Sequence, residues 1–237
     1  VSVGKGANSV SGNTVLGENA LDASVTGANN TAIGKSALTD LTSGAGNVCV
    51  GTSSGLEITT GSNNTAVGVS SLFTQTTASN NTAFGRSTLK LNTSGDENVA
   101  VGANALDANT TASHNTAIGY DSLGATTTGS ENTGCGNSSL LKNTSGNNNT
   151  AVGRSSMVEN TSGASNTAVG ADSLKNNTTA SNNTAVGKDA LLTNTTGSEN
   201  TALGADCLES NTTADNNTGV GFAALQNNTT GGSNTAV

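Results

Sequence analysis

Proline and tryptophan are absent from these 237 residues, aromatic residues make up 2%, and there is a single histidine. An ordinary globular core of this length draws on aromatic and branched side chains from all along the chain, so that architecture is excluded in its usual form. Clustered lysine and arginine are missing too. Eight basic residues stand scattered against sixteen acidic ones, for a formal charge of −8, and phosphate binding needs a basic patch, so no nucleic-acid partner is expected. No apolar run approaches the length of a membrane span, and neither a signal peptide nor an initiator methionine is present. With His114 alone, a His-pair zinc site or a Ser-His-Asp triad has no recurring partner to draw on.

Glycine, alanine, serine, threonine and asparagine make up most of the chain, a composition that taken alone reads as low complexity. Register excludes that reading. The glycine of an Asn-Thr-Ala-Val-Gly element falls at 17, 34, 51, 68, 85, 102, 119, 136, 153, 170, 187, 204 and 221, every step seventeen residues. A fixed short period over a whole chain marks a solenoid. The expected fold is all-β, a parallel β-solenoid or β-roll of about thirteen 17-residue coils forming one repeat array over residues 1–237. Both ends fall inside a repeat, Val1-Ser2-Val3-Gly4 and Asn234-Thr235-Ala236-Val237, which suggests an excerpt of a longer fibre chain.

The three residues before each glycine alternate in character, as in Thr184-Ala185-Val186 or Val99-Ala100-Val101, so a short strand is expected with its first and third side chains on one face. The third position is large and apolar, and size assigns that face to the interior. Val67, Val101, Val152, Val169 and Val186 are then core residues, joined by a second core column four places after the glycine: Leu72, Leu106, Leu174, Leu191 and Leu225. The middle residue would face outward. Because it is confined almost entirely to alanine, Ala66, Ala100, Ala151 and Ala185 are candidate subunit contacts. One repeat departs from the pattern, with Gly55 where leucine belongs and Leu56 one place late, so a local bulge or an irregular coil is expected there.

Glycine and asparagine fit corners that need positive φ, and stacked coils let like Asn and Thr residues form ladders. The Asn-Thr-Thr/Ser segments create N-x-[ST] sequons at Asn92, Asn109, Asn143, Asn160, Asn177, Asn194, Asn211 and Asn228, candidate glycosylation sites if exposed and stacked corner residues if not. Cys49, Cys135 and Cys207 are many coils apart, roughly 20 Å at the nearest if each coil rises one sheet spacing, beyond disulfide reach. They read as small buried hydrophobes.

The elements of this repeat, Asn98-Val99-Ala100-Val101-Gly102 most clearly, resemble the SVAIG-type repeats of the YadA-like head of trimeric autotransporter adhesins. The full phrase NTAVGxxALxxNTTGSxN is more similar to repeat shafts of phage tail fibres and related bacterial surface proteins, which often end in an endosialidase-type chaperone domain. The resemblance covers essentially the whole chain. It implies parallel β-roll coils, often three chains side by side, in an extracellular fibre that reaches and attaches. Self-association as a homotrimer or an end-to-end filament is implied, with any receptor met through regions outside this sequence. The YadA-like repeat is shorter than seventeen residues, and only the interval from Gly4 to Gly17, at thirteen, comes near it.

Other chemistry weighs less. Gly27 to Gly34-Lys35-Ser36 places six residues between its glycines where a phosphate-binding loop needs four. The corner acids Asp96, Glu97, Glu131, Glu199 and Asp215 lack the GGxGxD frame of calcium β-rolls. An ice-binding or carbohydrate-binding face is the alternative from another class; ice needs outward threonines, whereas threonines that interchange with valine are expected to point inward. No acid, base or nucleophile set stands out, so no catalysis, cofactor or metal is expected.

Overall fold

The computed structural model describes residues 3–237 and divides into two compact units, Val1–Asn115 and Thr116–Val237. Each unit is a parallel β-solenoid built from one coil per repeat. In the first, β1 (Val3–Gly4) is followed by β2 (Thr14–Leu16), β3 (Thr31–Ile33), β4 (Val48–Val50), β5 (Thr65–Val67), β6 (Thr82–Phe84) and β7 (Val99–Val101). From β2 onward these pair in parallel with a shift of one repeat, Thr65 opposite Thr82 and Val67 opposite Phe84. The first pair is the exception: β1 runs antiparallel to β2, Val3 opposite Leu16.

The second unit holds β8 (Thr116–Ile118), β9 (Thr133–Cys135), β10 (Thr150–Val152), β11 (Thr167–Val169), β12 (Thr184–Val186), β13 (Thr201–Leu203), β14 (Thr218–Val220) and β15 (Thr235–Ala236). All pair in parallel and in register. Proline's absence fits this, since every strand donates to a neighbour.

The strands alternate as expected, but in the opposite phase. Ala66, Ala100, Ala151 and Ala185 are fully buried, whereas Val101, Val152, Val169 and Val186 are 36–39% exposed and Val67 is half-buried. The alanines therefore line the interior and are not subunit contacts, and the valines are surface residues and not core. The interior admits only alanine or glycine at that position in most coils, with Val15 and Cys49 the larger buried exceptions. At Gly219 an added Cβ would lie 2.5 Å from the Cys207 sulfur, and at Gly134 one would lie 2.6 Å from Ser122 Oγ.

The leucine column is where the sequence places it: Leu72, Leu106, Leu174 and Leu191 are buried completely, and Leu225 in the last full coil is half-buried. These leucines hold φ between 47 and 52°, the left-handed region that bulky residues seldom enter. Burial of the side chain, worth about 1.5–3 kcal/mol, offsets the cost of order 1–3 kcal/mol for such a backbone. The corner before each strand is held at positive φ, by asparagine at Asn148, Asn182 and Asn216, near 60°, and by other residues such as Glu97, Glu131 and Ser165 elsewhere.

The repeat glycine is required by the stacking. Gly170 has φ 142°, and a Cβ there would sit 2.4 Å from the carbonyl oxygen of Gly187 in the next coil. The coil after Gly51 contains no bulge. Gly55 adopts φ 60°, donates to the Ser71 carbonyl at 2.9 Å, and leaves a space filled by Cys49 and Ile58, which replace the usual alanine and asparagine. Burial pushes the Cys49 thiol up to about 12, with a hydrogen bond to Ser54 acting the other way.

Candidate functional site

Asparagine fills most of what the thin apolar core leaves. Within each unit the asparagine opening the strand element forms a buried ladder: Asn166 donates its backbone N–H to Asn149 Oδ1 at 3.0 Å, and its Nδ2 to the same oxygen at 3.1 Å and to the Ala180 carbonyl at 2.9 Å. The sequon asparagines form a second. Asn177 Nδ2 donates to Asn160 Oδ1 at 2.9 Å and to the Ala180 carbonyl at 3.1 Å, and Asn194 Nδ2 donates to Asn177 Oδ1 at 3.2 Å. Both ladders thus clamp the same carbonyl. Buried amides satisfied in this way add specificity and contribute about 1 kcal/mol per bond.

This placement buries the candidate glycosylation sites in the folded chain. Asn92, Asn109, Asn143, Asn160, Asn177, Asn194 and Asn211 are fully buried, their Nδ2 atoms committed to neighbours, and only Asn228 is half-buried. A glycan on any of the seven would have to occupy the core. Threonine after the sequon asparagine is also committed: Thr161, Thr178 and Thr195 each donate a hydroxyl to the carbonyl of the equivalent threonine one coil on, at 3.0 Å.

Outside the core, chemistry-bearing groups do not converge. Among the described residues no group of three His, Cys, Asp or Glu side chains could hold a metal ion. His114 lies 3.3 Å from Glu97, both more than half exposed. Asp172 accepts from Arg154 at 2.5 Å and is ion-paired with Lys175 at 3.1 Å, and the Asp189 carboxylate beside Lys188 raises that ammonium above its usual range. A cavity of about 380 Å³ near the start of the chain is lined by Lys5, Ser9, Asn19 and Asp22 among others. Lys35, in the stretch compared with a phosphate loop, pairs with Glu18 across a coil. No disulfide joins the cysteines, and Cys49 and Cys207 are buried, while Cys135 sits half-buried on the outer strand face. Burial raises Cys207 as it does Cys49.

The surface that stands apart is the outer face of the strands. In the second unit its first column is threonine in every strand, Thr116 through Thr235, and its last is Ile118, Cys135, Val152, Val169, Val186, Leu203 and Val220. No charged side chain lies in either column. The first unit is less regular, with Val48 and Val99 among its threonines and Phe84, 56% exposed, among its aliphatics. The reversed strand phase creates this face, and it removes the reason for placing the threonines inside.

The fold therefore defines a repeat β-solenoid with an amide-laddered core. No family model, curated protein or solved structure matches the chain. Among the described residues no helix is long and apolar enough to cross a membrane.

Proposed function

We propose that the chain is a length of structural shaft in an extracellular fibre, a phage tail fibre or a bacterial surface filament, without catalytic activity. The observation that carries this reading is the recurrence of one coil design. The same glycine stack runs through the coils, the leucine column and paired asparagine ladders recur in most of them, and among the described residues no coil gathers an acid, base or nucleophile set that the others lack. A device repeated with only such interior exchanges suits reach and spacing, where each coil adds an interface term to its neighbours. The extracellular setting follows from the resemblance to tail-fibre and adhesin repeats.

Self-association belongs to the same proposal. A side-by-side homotrimer needs a lateral contact, and the alanine column expected to supply it is buried. Each chain closes its own core, which favours one chain per cross-section, joined end to end, over three intertwined chains. Cryo-electron microscopy of the native fibre tests this. One 17-residue coil per layer is expected; three chains about an axis would restore the trimer, and a native protein found only as free monomers would end the shaft reading.

A further inference from the structure

We propose that the threonine and aliphatic face of the Thr116–Val237 unit binds ice, holding first-shell water in register with the crystal. This goes beyond the shaft reading and does not depend on it.

Four features of the face support the assignment. Thr116, Thr133, Thr150, Thr167, Thr184, Thr201, Thr218 and Thr235 stand opposite one another in successive strands, so their hydroxyls repeat at about 4.8 Å, with the aliphatic column about 6.6 Å along the strand. Among the described residues those hydroxyls have no hydrogen-bond partner, unlike Thr161, Thr178 and Thr195, whose hydroxyls are spent on the next coil. They are left to bond water. Beside them Ile118, Val152, Val169, Val186 and Leu203 are 37–42% exposed, and methyl groups at that spacing keep water from hydrating the face freely. Neither column carries a charge in a chain of net charge −8; a charged side chain would hold its own hydration shell against an ordered lattice.

The periodicity selects the ligand. One hydroxyl and its neighbouring methyls bind water weakly, but strands fixed in one register present all their contacts together, so each further coil adds attraction with little further loss of freedom. Only a ligand with its own lattice can use such an array. A second copy of the chain fits less well. Eight strands at the sheet spacing and two columns give a strip on the order of 400 Å², about half of the roughly 800 Å² per partner in a stable interface.

The test is partition of the purified chain between slowly grown ice and the remaining liquid, with circular dichroism and sedimentation run alongside. The wild-type chain is expected in the ice, and Thr167→Lys, in the middle of the face, is expected to lower its partition about tenfold, a factor that corresponds to 1.4 kcal/mol. Thr179→Lys, on an exposed corner away from the strands, is expected to leave it unchanged. Should Thr167→Lys fail to fold, Thr167→Val serves, since Val48 and Val99 already occupy that column, and it too is expected to weaken partition. Exclusion of the wild-type chain from ice, equal partition of the wild-type and Thr167 variants, or a wild-type oligomer that Thr167→Lys dissociates would each overturn the proposal, the last by assigning the face to a second copy.

Discussion

Truncating Asn177 to alanine tests how far the amide ladders hold the core. The side chain makes three hydrogen bonds: its Nδ2 to Asn160 Oδ1 and to the Ala180 carbonyl, and its Oδ1 from Asn194 Nδ2. Their loss is unequal in effect. The Ala180 carbonyl keeps its bond from Asn166, and Asn194 Nδ2 keeps its bond to the Gly197 carbonyl at 2.8 Å. Asn160 Oδ1 keeps nothing and would be buried without a donor. One orphaned acceptor costs about 1–3 kcal/mol and each of the two shared bonds about 0.5–1, so Asn177→Ala should destabilise by about 2–5 kcal/mol. Asn176, partly exposed beside it, is the control and should cost under about 0.5 kcal/mol when truncated. Replacing Asn160, Asn177 and Asn194 together by leucine should cost less than three times the single change, because no acceptor between them is orphaned; Leu41 and Ile58 already fill this position in the first unit. Urea denaturation followed by circular dichroism reads all of these. A loss at Asn177 no larger than at Asn176 would refute the claim that the ladder is energetically significant.

Other outcomes follow from the same packing. Gly55→Leu, which restores the repeat's usual residue, should destabilise the chain, since even a Cβ at Gly55 lies 2.6 Å from the Cys49 sulfur and 3.0 Å from Ile58 Cδ1; a higher melting temperature would contradict this. Thr126 interrupts the sequon ladder and its buried hydroxyl has no partner, so Thr126→Asn, able to accept from Asn143, should raise stability by about 1 kcal/mol in the same denaturation assay. The Cys49 thiol titrates at 9.0 when unperturbed and at about 12 in the fold. Its contribution is therefore complete below pH 9 and declines as pH rises toward 12, by about 1.4 kcal/mol per unit. Denaturation midpoints of wild type and Cys49→Ala from pH 8 to 11 should differ in slope in that direction.

Period, strand positions and the leucine column were legible in the sequence because they depend only on register. The inward face of the strands was not. Alternation offers two phases, and choosing by size placed Val152 and Val169 inside when Ala151 and Ala168 are there. The leucines and two asparagine ladders already fill most coils, leaving room for little more than a methyl group, and Cys49 fits where Gly55 replaces the leucine. A readable signal existed in the exchanges of volume: Cys207 accompanies Gly219, and Gly55 accompanies Cys49 and Ile58. Such compensation occurs among side chains that share an interior, so a column of alanine and glycine that trades volume with its neighbours lies inside. The left-handed leucines left no such trace, because propensity disfavours them and only burial holds them there.

Inside-out placement of the strand is the central claim, and the native cysteines report on it directly. Cys49 occupies the alanine column and Cys135 the aliphatic column, so brief maleimide labelling of the folded chain, mapped by peptide mass, compares the two faces without mutation. Cys135 should be modified and Cys49 left intact until the chain is unfolded. Labelling of Cys49 as fast as Cys135 would mean that the alanines face solvent, and both the ladder-filled core and the threonine face would fall with that result.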